Sequence, residues 1–168
     1  MLFEQIAQKC LDLTRKYKTR DPFEIAENLH ISVILADDFT KLKGMYVIVN
    51  KNPFVFLNSR LDEPMQKIVL AHEIGHDRLH RDFARQAAFE EFSLYKMDSR
   101  PEIEANIFAA EMLIDTDRVL ELIYESLDIE QIAHILKTDI NLVAIKVSGL
   151  IKRGYDLKLQ SFRSDFLK

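Results

Sequence analysis

Three residues of this chain have types and a spacing that could do chemistry: His72, Glu73 and His76, in the pattern His-Glu-x-x-His. They lie in an apolar stretch, residues 68–76, that predicts a helix. Because a helix turns about 100° per residue, side chains four positions apart lie on the same face. Both imidazoles can therefore bind one metal ion, with the Glu73 carboxylate beside it as a general base. Buried without a metal, these polar groups would cost several kcal/mol, so we expect a metal site.

A third ligand must come from elsewhere, because a catalytic zinc ion usually takes three protein ligands and leaves a fourth position for water. His80 continues the four-residue spacing, but on a straight helix its Cα would lie about 12 Å from that of His72. Ligand atoms must lie about 2 Å from the ion. A glycine that breaks the helix three residues after His76 would relieve this, and Leu79 stands there instead. We expect His80 to be structural or to support a ligand.

A second predicted helix, residues 102–114, offers a carboxylate. Glu102 and Asn106 lie one turn apart on one face, so Glu102 could bind the metal while Asn106 supports a histidine. Glu104 lies about 200° from Glu102 around the helix, so the two cannot both be ligands. Glu111 is one turn further on and is expected to be an exposed surface charge. Small residues on this helix would allow another helix to approach closely.

The elements that must position these residues follow from periodicity and capping signals. The predicted elements are helices over 2–18 and 22–29, strands over 31–35, 45–49 and 54–58, the motif helix over 63–80, and helices over 102–114, 117–126, 129–137 and 140–152. The second and third strands predict a hairpin, and strand 54–58 is expected to form a sheet edge for an extended peptide. Residues 81–100 are less regular, and four aromatic side chains there are expected to pack a loop or short helix over the site: Phe83, Phe89, Phe92 and Tyr95.

These elements predict an α+β fold with a small, mainly antiparallel sheet, an active-site helix, further helices and a C-terminal helical pair. The predicted division is a catalytic domain over 1–126 and a C-terminal helical extension over 127–168 that packs on it. The helices 129–137 and 140–152 are spaced like a helix-turn-helix. The second of them is mostly apolar, however, so it is expected to pack against the domain or a partner protein. Direct nucleic-acid binding is therefore not expected.

Composition narrows the class of protein. The 168 residues carry a formal net charge of −4, which gives no case for a nucleic-acid-binding protein by charge. The basic residues within 141–168 are read as a solvated helix face and tail. Cys10 is the single cysteine and typical of a reducing compartment. No signal peptide and no apolar run near about 18 residues is visible, so a soluble cytoplasmic protein without membrane association is expected.

The motif His72-Glu73-Ile74-Gly75-His76, followed by the segment 102–113, resembles the ImmA/IrrE family of metallopeptidases. The upstream segments 21–26 and 43–46 are also similar, and the resemblance runs from about residue 15 to 115. One departure is Met112-Leu113-Ile114-Asp115, where the family commonly has Leu-Leu-Met-Pro. It changes a helix end and leaves the chemistry untouched.

The resemblance implies a compact zincin-like domain with Zn²⁺ as its cofactor. It assigns His72, His76 and Glu102 as zinc ligands, Glu73 as the catalytic residue and Asn106 as the support behind a ligand. It also implies cleavage of a partner regulator, a phage- or mobile-element-type helix-turn-helix repressor.

Two functions from different classes follow. The first is a zinc-dependent, site-specific endopeptidase that inactivates such a repressor. The second is a non-catalytic, metal-containing regulatory protein that binds a repressor partner. For the endopeptidase, three side chains are candidate donors to the oxyanion of the reaction: Tyr46, Tyr95 and His80.

Overall fold

A computed structural model of the chain describes residues 2–84, 88–91, 94–95, 97 and 99–157. In chain order, the helices and strands of this part are α1 (Leu2–Tyr17), α2 (Pro22–Asn28), β1 (Ser32–Ala36), β2 (Gly44–Val49), β3 (Asn52–Asn58), α3 (Glu63–Leu79), α4 (Arg81–Ala84), β4 (Phe89–Glu91), α5 (Arg100–Leu113), α6 (Thr116–Tyr124), α7 (Ile129–Leu136) and α8 (Ile140–Lys152). The predicted α+β fold is confirmed, and the bounds of the predicted elements agree to within two residues. No described helix has both the length and the apolar character needed to cross a bilayer.

The four described strands form one mixed sheet in the order β1-β3-β2-β4. β2 pairs antiparallel with both β3 and β4, whereas β1 pairs parallel with β3. The predicted β2–β3 hairpin and the mainly antiparallel sheet are therefore confirmed. The prediction that strand 54–58 forms an edge is wrong, because β1 pairs with β3 on the side away from β2. A hairpin pattern identifies two partners but carries no information on a third strand that joins from elsewhere in the chain.

The segment after α3 also differs from the prediction. It contains the short helix α4, which agrees with the expected loop or short helix, and the strand β4, which the sequence pattern did not indicate. The side chain of Phe83 does not cover the site, since this residue is 65% exposed. Phe89 does lie at the site, and Phe92 falls outside the described residues.

The motif helix α3 begins and lies where its sequence dictates. Asp62 is its N-cap, with the side-chain oxygen accepting a hydrogen bond from the Met65 N–H at 2.9 Å, and Pro64 occupies the first turn. Residues 68–77 of this helix are all buried, because α2, β2, β3 and α5 pack around it. The side chains of His72, Glu73 and His76 are therefore held on a rigid helix and shielded from water.

The close contact between α3 and α5 depends on Gly75. A Cβ added at this position would lie 3.1 Å from the Ala105 Cα and 3.2 Å from the Phe108 Cβ. Any larger residue would force the two helices apart, since the nearest atom belongs to the backbone. The small residues Ala105 and Ala109 are fully buried at this contact, as expected from the sequence.

The helix α8 packs against α5. Leu142, Val143 and Val147 are completely buried, which accounts for the apolar character of this helix. The division of the chain at residue 126 stays a prediction.

Glu111 is not the exposed charge that the sequence predicted, since it is only 6% exposed. Its carboxylate accepts hydrogen bonds from Lys146 Nζ at 2.6 Å and from Arg153 Nη2 at 3.2 Å. Lys146 is 1% exposed and also donates to Thr116 Oγ1 at 2.8 Å. The prediction failed because the apolar pattern of α5 does not indicate that α8 packs against the face that carries Glu111. Lys146 and Arg153 bring the two positive charges that pair with the buried carboxylate.

Candidate metal centre

The predicted ligands converge between α3 and α5. His72 Nε2 lies 3.1 Å from His76 Nε2 and 3.3 Å from Glu102 Oε2. His76 Nε2 lies 3.5 Å from Glu102 Oε1. Each of the three residues offers one ligand atom, and these atoms all lie within 4.8 Å of one another. The structure therefore brings together the three side chains that the sequence singled out.

These separations fit a zinc-sized ion. Zn–N and Zn–O bonds are about 2.0–2.1 Å long, so neighbouring ligands of a tetrahedral ion are about 3.3 Å apart. The separations of 3.1, 3.3 and 3.5 Å bracket that value. Two histidines and one glutamate are also a donor set typical of catalytic zinc.

Asn106 fixes the orientation of His72. The His72 Nδ1 lies 3.0 Å from the Asn106 side-chain oxygen, so Nδ1 carries the proton and donates it there. The lone pair of the other nitrogen, Nε2, is then free to face the ligand cluster. This is the supporting role that the sequence predicted for Asn106.

A longer chain of hydrogen bonds orients His76. Its Nδ1 lies 3.1 Å from His80 Nδ1, and His80 Nε2 lies 3.0 Å from Glu104 Oε2. Glu104 also accepts a hydrogen bond from Arg100 Nε at 2.6 Å. Because a carboxylate only accepts, His80 donates from Nε2 and accepts at Nδ1, and His76 therefore donates from Nδ1. His80 and Glu104 thus act behind His76 and are not grouped with the three candidate ligands.

Electrostatics favour the metal-binding form of two of these groups. Burial, with the neighbouring His72 and His80, lowers the pKa of His76 to about 2, so this imidazole is neutral. Burial opposes the ionised form of Glu102, but the hydrogen bonds from His72 and Glu91 and the charges of His72 and His80 together outweigh burial and lower its pKa. For His72, burial is outweighed by the hydrogen bond to Glu102 and by nearby carboxylates, so its pKa is raised. A cation at the ligand cluster would displace that proton, because metals bind the neutral imidazole.

Glu73 lies next to the cluster and is completely buried. Both of its oxygens lack a hydrogen-bond partner among the described residues. Burial, together with the carboxylates of Glu91 and Glu102, raises the pKa of Glu73 to about 8, while His72 acts in the opposite direction. A buried carboxylate without partners is costly, which indicates a functional role.

Gly44 on β2 makes room for this carboxylate. A Cβ at Gly44 would lie 2.5 Å from Val69 Cγ1 and 2.8 Å from Glu73 Oε1. The sheet can approach α3 this closely only where the side chain is absent.

The buried Glu73 predicts how the metal-free protein responds to pH. Its folded-state pKa of about 8 lies above the unfolded value of 4.5, so the folded state holds a proton that the unfolded state releases. The free energy of unfolding should therefore fall as the pH rises from about 5 to 8. Glu73→Gln cannot ionise, and we expect it to be more stable than the wild type above pH 8, by on the order of a few kcal/mol.

Denaturant unfolding of the chelator-treated proteins at several pH values measures this difference. The exposed Glu63→Gln controls for the loss of one negative charge. Parallel pH profiles of the wild type and Glu73→Gln would contradict the prediction.

β4 places two side chains at the site: Phe89, which the sequence analysis expected to pack over it, and Glu91, which it did not single out. The Phe89 ring stacks on the His76 imidazole, with centroids 4.0 Å apart. Glu91 is 4% exposed, and its Oε2 lies 3.2 Å from His72 Nε2. Both reach the site because β4 pairs with β2, and no local signal in the sequence predicts that pairing.

The three candidate oxyanion donors have other neighbours. The Tyr46 hydroxyl donates to Asp77 Oδ1 at 2.5 Å, and both ring nitrogens of His80 are engaged behind His76. Burial and Asp139, the N-cap of α8, raise the pKa of Tyr95. The identity of an oxyanion donor therefore stays a prediction.

An α+β domain that carries His-Glu-x-x-His on a buried helix, with a carboxylate from a second helix, defines a zincin-like fold. A family model described as the IrrE N-terminal-like domain of a peptidase family matches residues 25–148. The chain belongs to this family, as its resemblance to ImmA/IrrE proteins predicted, and membership implies a metallopeptidase. The chain is also similar to uncharacterized immunity region protein 2 of Bacillus phage phi105, with 35% identity over 102 residues. That alignment covers 61% of this chain and 63% of the phage protein.

Proposed function

We propose that this protein is a zinc-dependent, site-specific endopeptidase that cleaves a transcriptional repressor of a phage or mobile element. The observation that carries the proposal is the buried Glu73, without hydrogen-bond partners among the described residues, beside three ligand atoms that converge at zinc-like separations. A buried base next to three converging ligand atoms is what hydrolysis needs, because a catalytic zinc ion takes three permanent protein ligands and keeps a position that water can occupy.

The roles of the residues follow from their positions. His72, His76 and Glu102 would hold the ion. When bound, zinc would polarise the scissile carbonyl and lower the pKa of the attacking water. Glu73 would take the proton from that water and return it to the leaving amine, as a general acid–base residue does.

Asn106 and His80 would keep the two histidines in the metal-binding tautomer. Loss of either should weaken metal binding without removing a group that reacts with the substrate.

The edge strand β4 is a candidate binding place for the substrate backbone. Within the described part of the chain, β4 forms the end of the sheet and its Phe89 contacts His76. An extended segment of the substrate could add to this edge, next to the base, by backbone hydrogen bonds. This is the role that the sequence had suggested for strand 54–58.

The substrate class rests on the family and on the phage relative. The ImmA/IrrE resemblance implies a helix-turn-helix repressor as the target, and the relative is named for an immunity region. A repressor acts on DNA in the cytoplasm, so the enzyme would act there as well. Cleavage of one partner at one site requires little activity on other proteins.

The test is cleavage of a candidate helix-turn-helix repressor, chosen first among any that the neighbouring genes encode. The zinc-loaded wild type should cut it at a single site, observed by gel electrophoresis and mass spectrometry. Glu73→Gln should keep its zinc but lose activity by at least about 100- to 10,000-fold, the range for a general base.

Three results would contradict the proposal. Retained cleavage by Glu73→Gln would exclude Glu73 as the base. Binding of the repressor by zinc-loaded wild type without any cleavage would favour the non-catalytic regulator. Rapid digestion of casein, an unrelated unfolded protein, would contradict site specificity.

A further inference from the structure

Glu91 places an additional carboxylate at the metal centre. It is the last residue of β4 and its side chain is 5% exposed. Its Oε2 lies 3.2 Å from His72 Nε2, and its carboxyl group is hydrogen-bonded to that of Glu102. Glu91 thus contacts two of the three candidate ligands.

The sheet register directs this side chain toward α3. Glu91 pairs with Gly44 of β2, and the Lys43 N–H donates to the Glu91 carbonyl oxygen at 2.7 Å. Residues directly opposite each other on paired strands point to the same face of a sheet. A Cβ at Gly44 would point at Glu73, so the Glu91 side chain enters the same space. The position of Glu91 is therefore fixed by backbone pairing.

The atom that Glu91 contacts is the metal-binding one. His72 donates from Nδ1 to Asn106, which leaves Nε2 as the nitrogen available to a metal. The 3.2 Å between this nitrogen and Glu91 Oε2 is comparable to the 3.1 and 3.3 Å that separate it from the ligand atoms of His76 and Glu102. Glu91 Oε2 thus lies next to one of the three ligand atoms, although the mutually close set comprises His72, His76 and Glu102 alone among the described residues.

The charge of the site supports the same conclusion. Glu73, Glu91 and Glu102 are three acidic side chains around two histidines, and the first two are almost completely buried. A dication balances the charges of Glu91 and Glu102 and leaves Glu73 as the base. Carboxylate oxygen is a ligand that zinc accepts readily.

We propose that Glu91 is an exchangeable fourth ligand, which binds the metal in the resting protein at the position that catalysis needs for water. This inference rests on the proposed function. In this exchange the bond between the metal and the Glu91 carboxylate oxygen breaks, and a bond to an oxygen of water or substrate forms. Each oxygen keeps its electron pair, so no electron or proton transfer is required.

The strand makes this exchange easy. Among the described residues, β4 is paired with β2 over three residue positions, and Glu91 is the last of them. A substrate segment that adds to β4 would act on the same strand that carries the ligand. Glu91 thereby links occupation of the sheet edge to the opening of the metal site.

Cobalt substitution tests the coordination directly. Co²⁺ is added to the chelator-treated wild type, to Glu91→Gln and to Glu90→Gln, and the visible absorption is recorded. We expect Glu91→Gln to change the spectrum, because water replaces the carboxylate. It should also raise the zinc dissociation constant by about 10- to 100-fold. Glu90 is an exposed neighbour on the same strand, so Glu90→Gln should leave both quantities unchanged.

The displacement of Glu91 by substrate is tested by measuring the rate of repressor cleavage at saturating zinc. Glu91→Gln should cleave it faster than the wild type, because the competing ligand is gone. Thermal unfolding of the metal-free variants checks that they fold, and Glu91→Ala provides a second variant.

The outcomes separate the two proposals. Identical cobalt spectra and zinc affinities for Glu91→Gln and Glu90→Gln overturn the role of Glu91 as a ligand. Slower cleavage by Glu91→Gln at saturating zinc overturns its displacement by substrate. A wild type that binds cobalt with the expected dependence on Glu91, but cleaves no repressor, rejects the proposed function alone.

Discussion

Glu102→Ala is expected to weaken zinc binding by more than about 100-fold, whereas Glu104→Ala should weaken it by only about 10-fold. The two glutamates are two positions apart on α5 and have different partners. Glu102 contacts the metal-facing nitrogens of both His72 and His76. Glu104 reaches the site only through His80, and a residue that supports a ligand from behind has a smaller effect on affinity.

Competition with a chromophoric chelator measures both dissociation constants. The pair is well matched, because each variant removes one carboxylate from the same helix. Thermal unfolding of the metal-free proteins shows whether either substitution damages the fold. A larger loss of zinc affinity in Glu104→Ala than in Glu102→Ala would show that the assignment of the ligand is wrong.

Glu111→Ala is expected to lower the free energy of unfolding by about 3–5 kcal/mol, the cost of removing one partner from a buried ion pair. The substitution leaves the Lys146 ammonium group buried, 1% exposed, with Thr116 Oγ1 as its remaining hydrogen-bond acceptor among the described residues, at 2.8 Å. Burial lowers the pKa of Lys146, and the charge and hydrogen bond of Glu111 act in the opposite direction and raise it. Without Glu111, folding must either bury an uncompensated charge or remove a proton from the amine.

Denaturant unfolding of the wild type and two variants measures this cost. Glu121→Ala removes the same number of atoms from an exposed ion pair with Arg118, and should cost no more than about 1 kcal/mol. The double variant Glu111→Leu/Lys146→Met replaces both charges by apolar groups and should recover much of the loss. Equal effects of Glu111→Ala and Glu121→Ala would contradict the prediction.

Local features of the site were accessible from the sequence. The four-residue spacing of His72 and His76 and the pairing of Glu102 with Asn106 depend only on helix geometry. Helix bounds were equally accessible, because caps such as Asp21 and Asp128 act on residues two or three positions away. The predicted helix bounds agree with the structure because each of these interactions lies within one turn of one helix.

The features that the sequence did not indicate all depend on contacts between distant parts of the chain. Glu91 reaches the site through the pairing of β4 with β2, across the whole of α3. Glu111 is buried by Lys146, which is 35 residues away. An acidic residue on a helix has the same local pattern whether water or another helix covers it, so periodicity alone could not distinguish these cases.

The contact at Gly75 has a consequence for how the sequence of this protein can vary. The neighbour that limits this position most closely is the backbone of Ala105, so the spacing of the two helices at the site is set by main-chain contact. Apolar residues elsewhere in the interior can therefore be replaced by others of slightly different volume while the spacing between His72 and Glu102 is preserved. Position 75 has less latitude, because a Cβ there would lie 3.1 Å from the Ala105 Cα and would require the two halves of the metal centre to shift by a few tenths of an ångström.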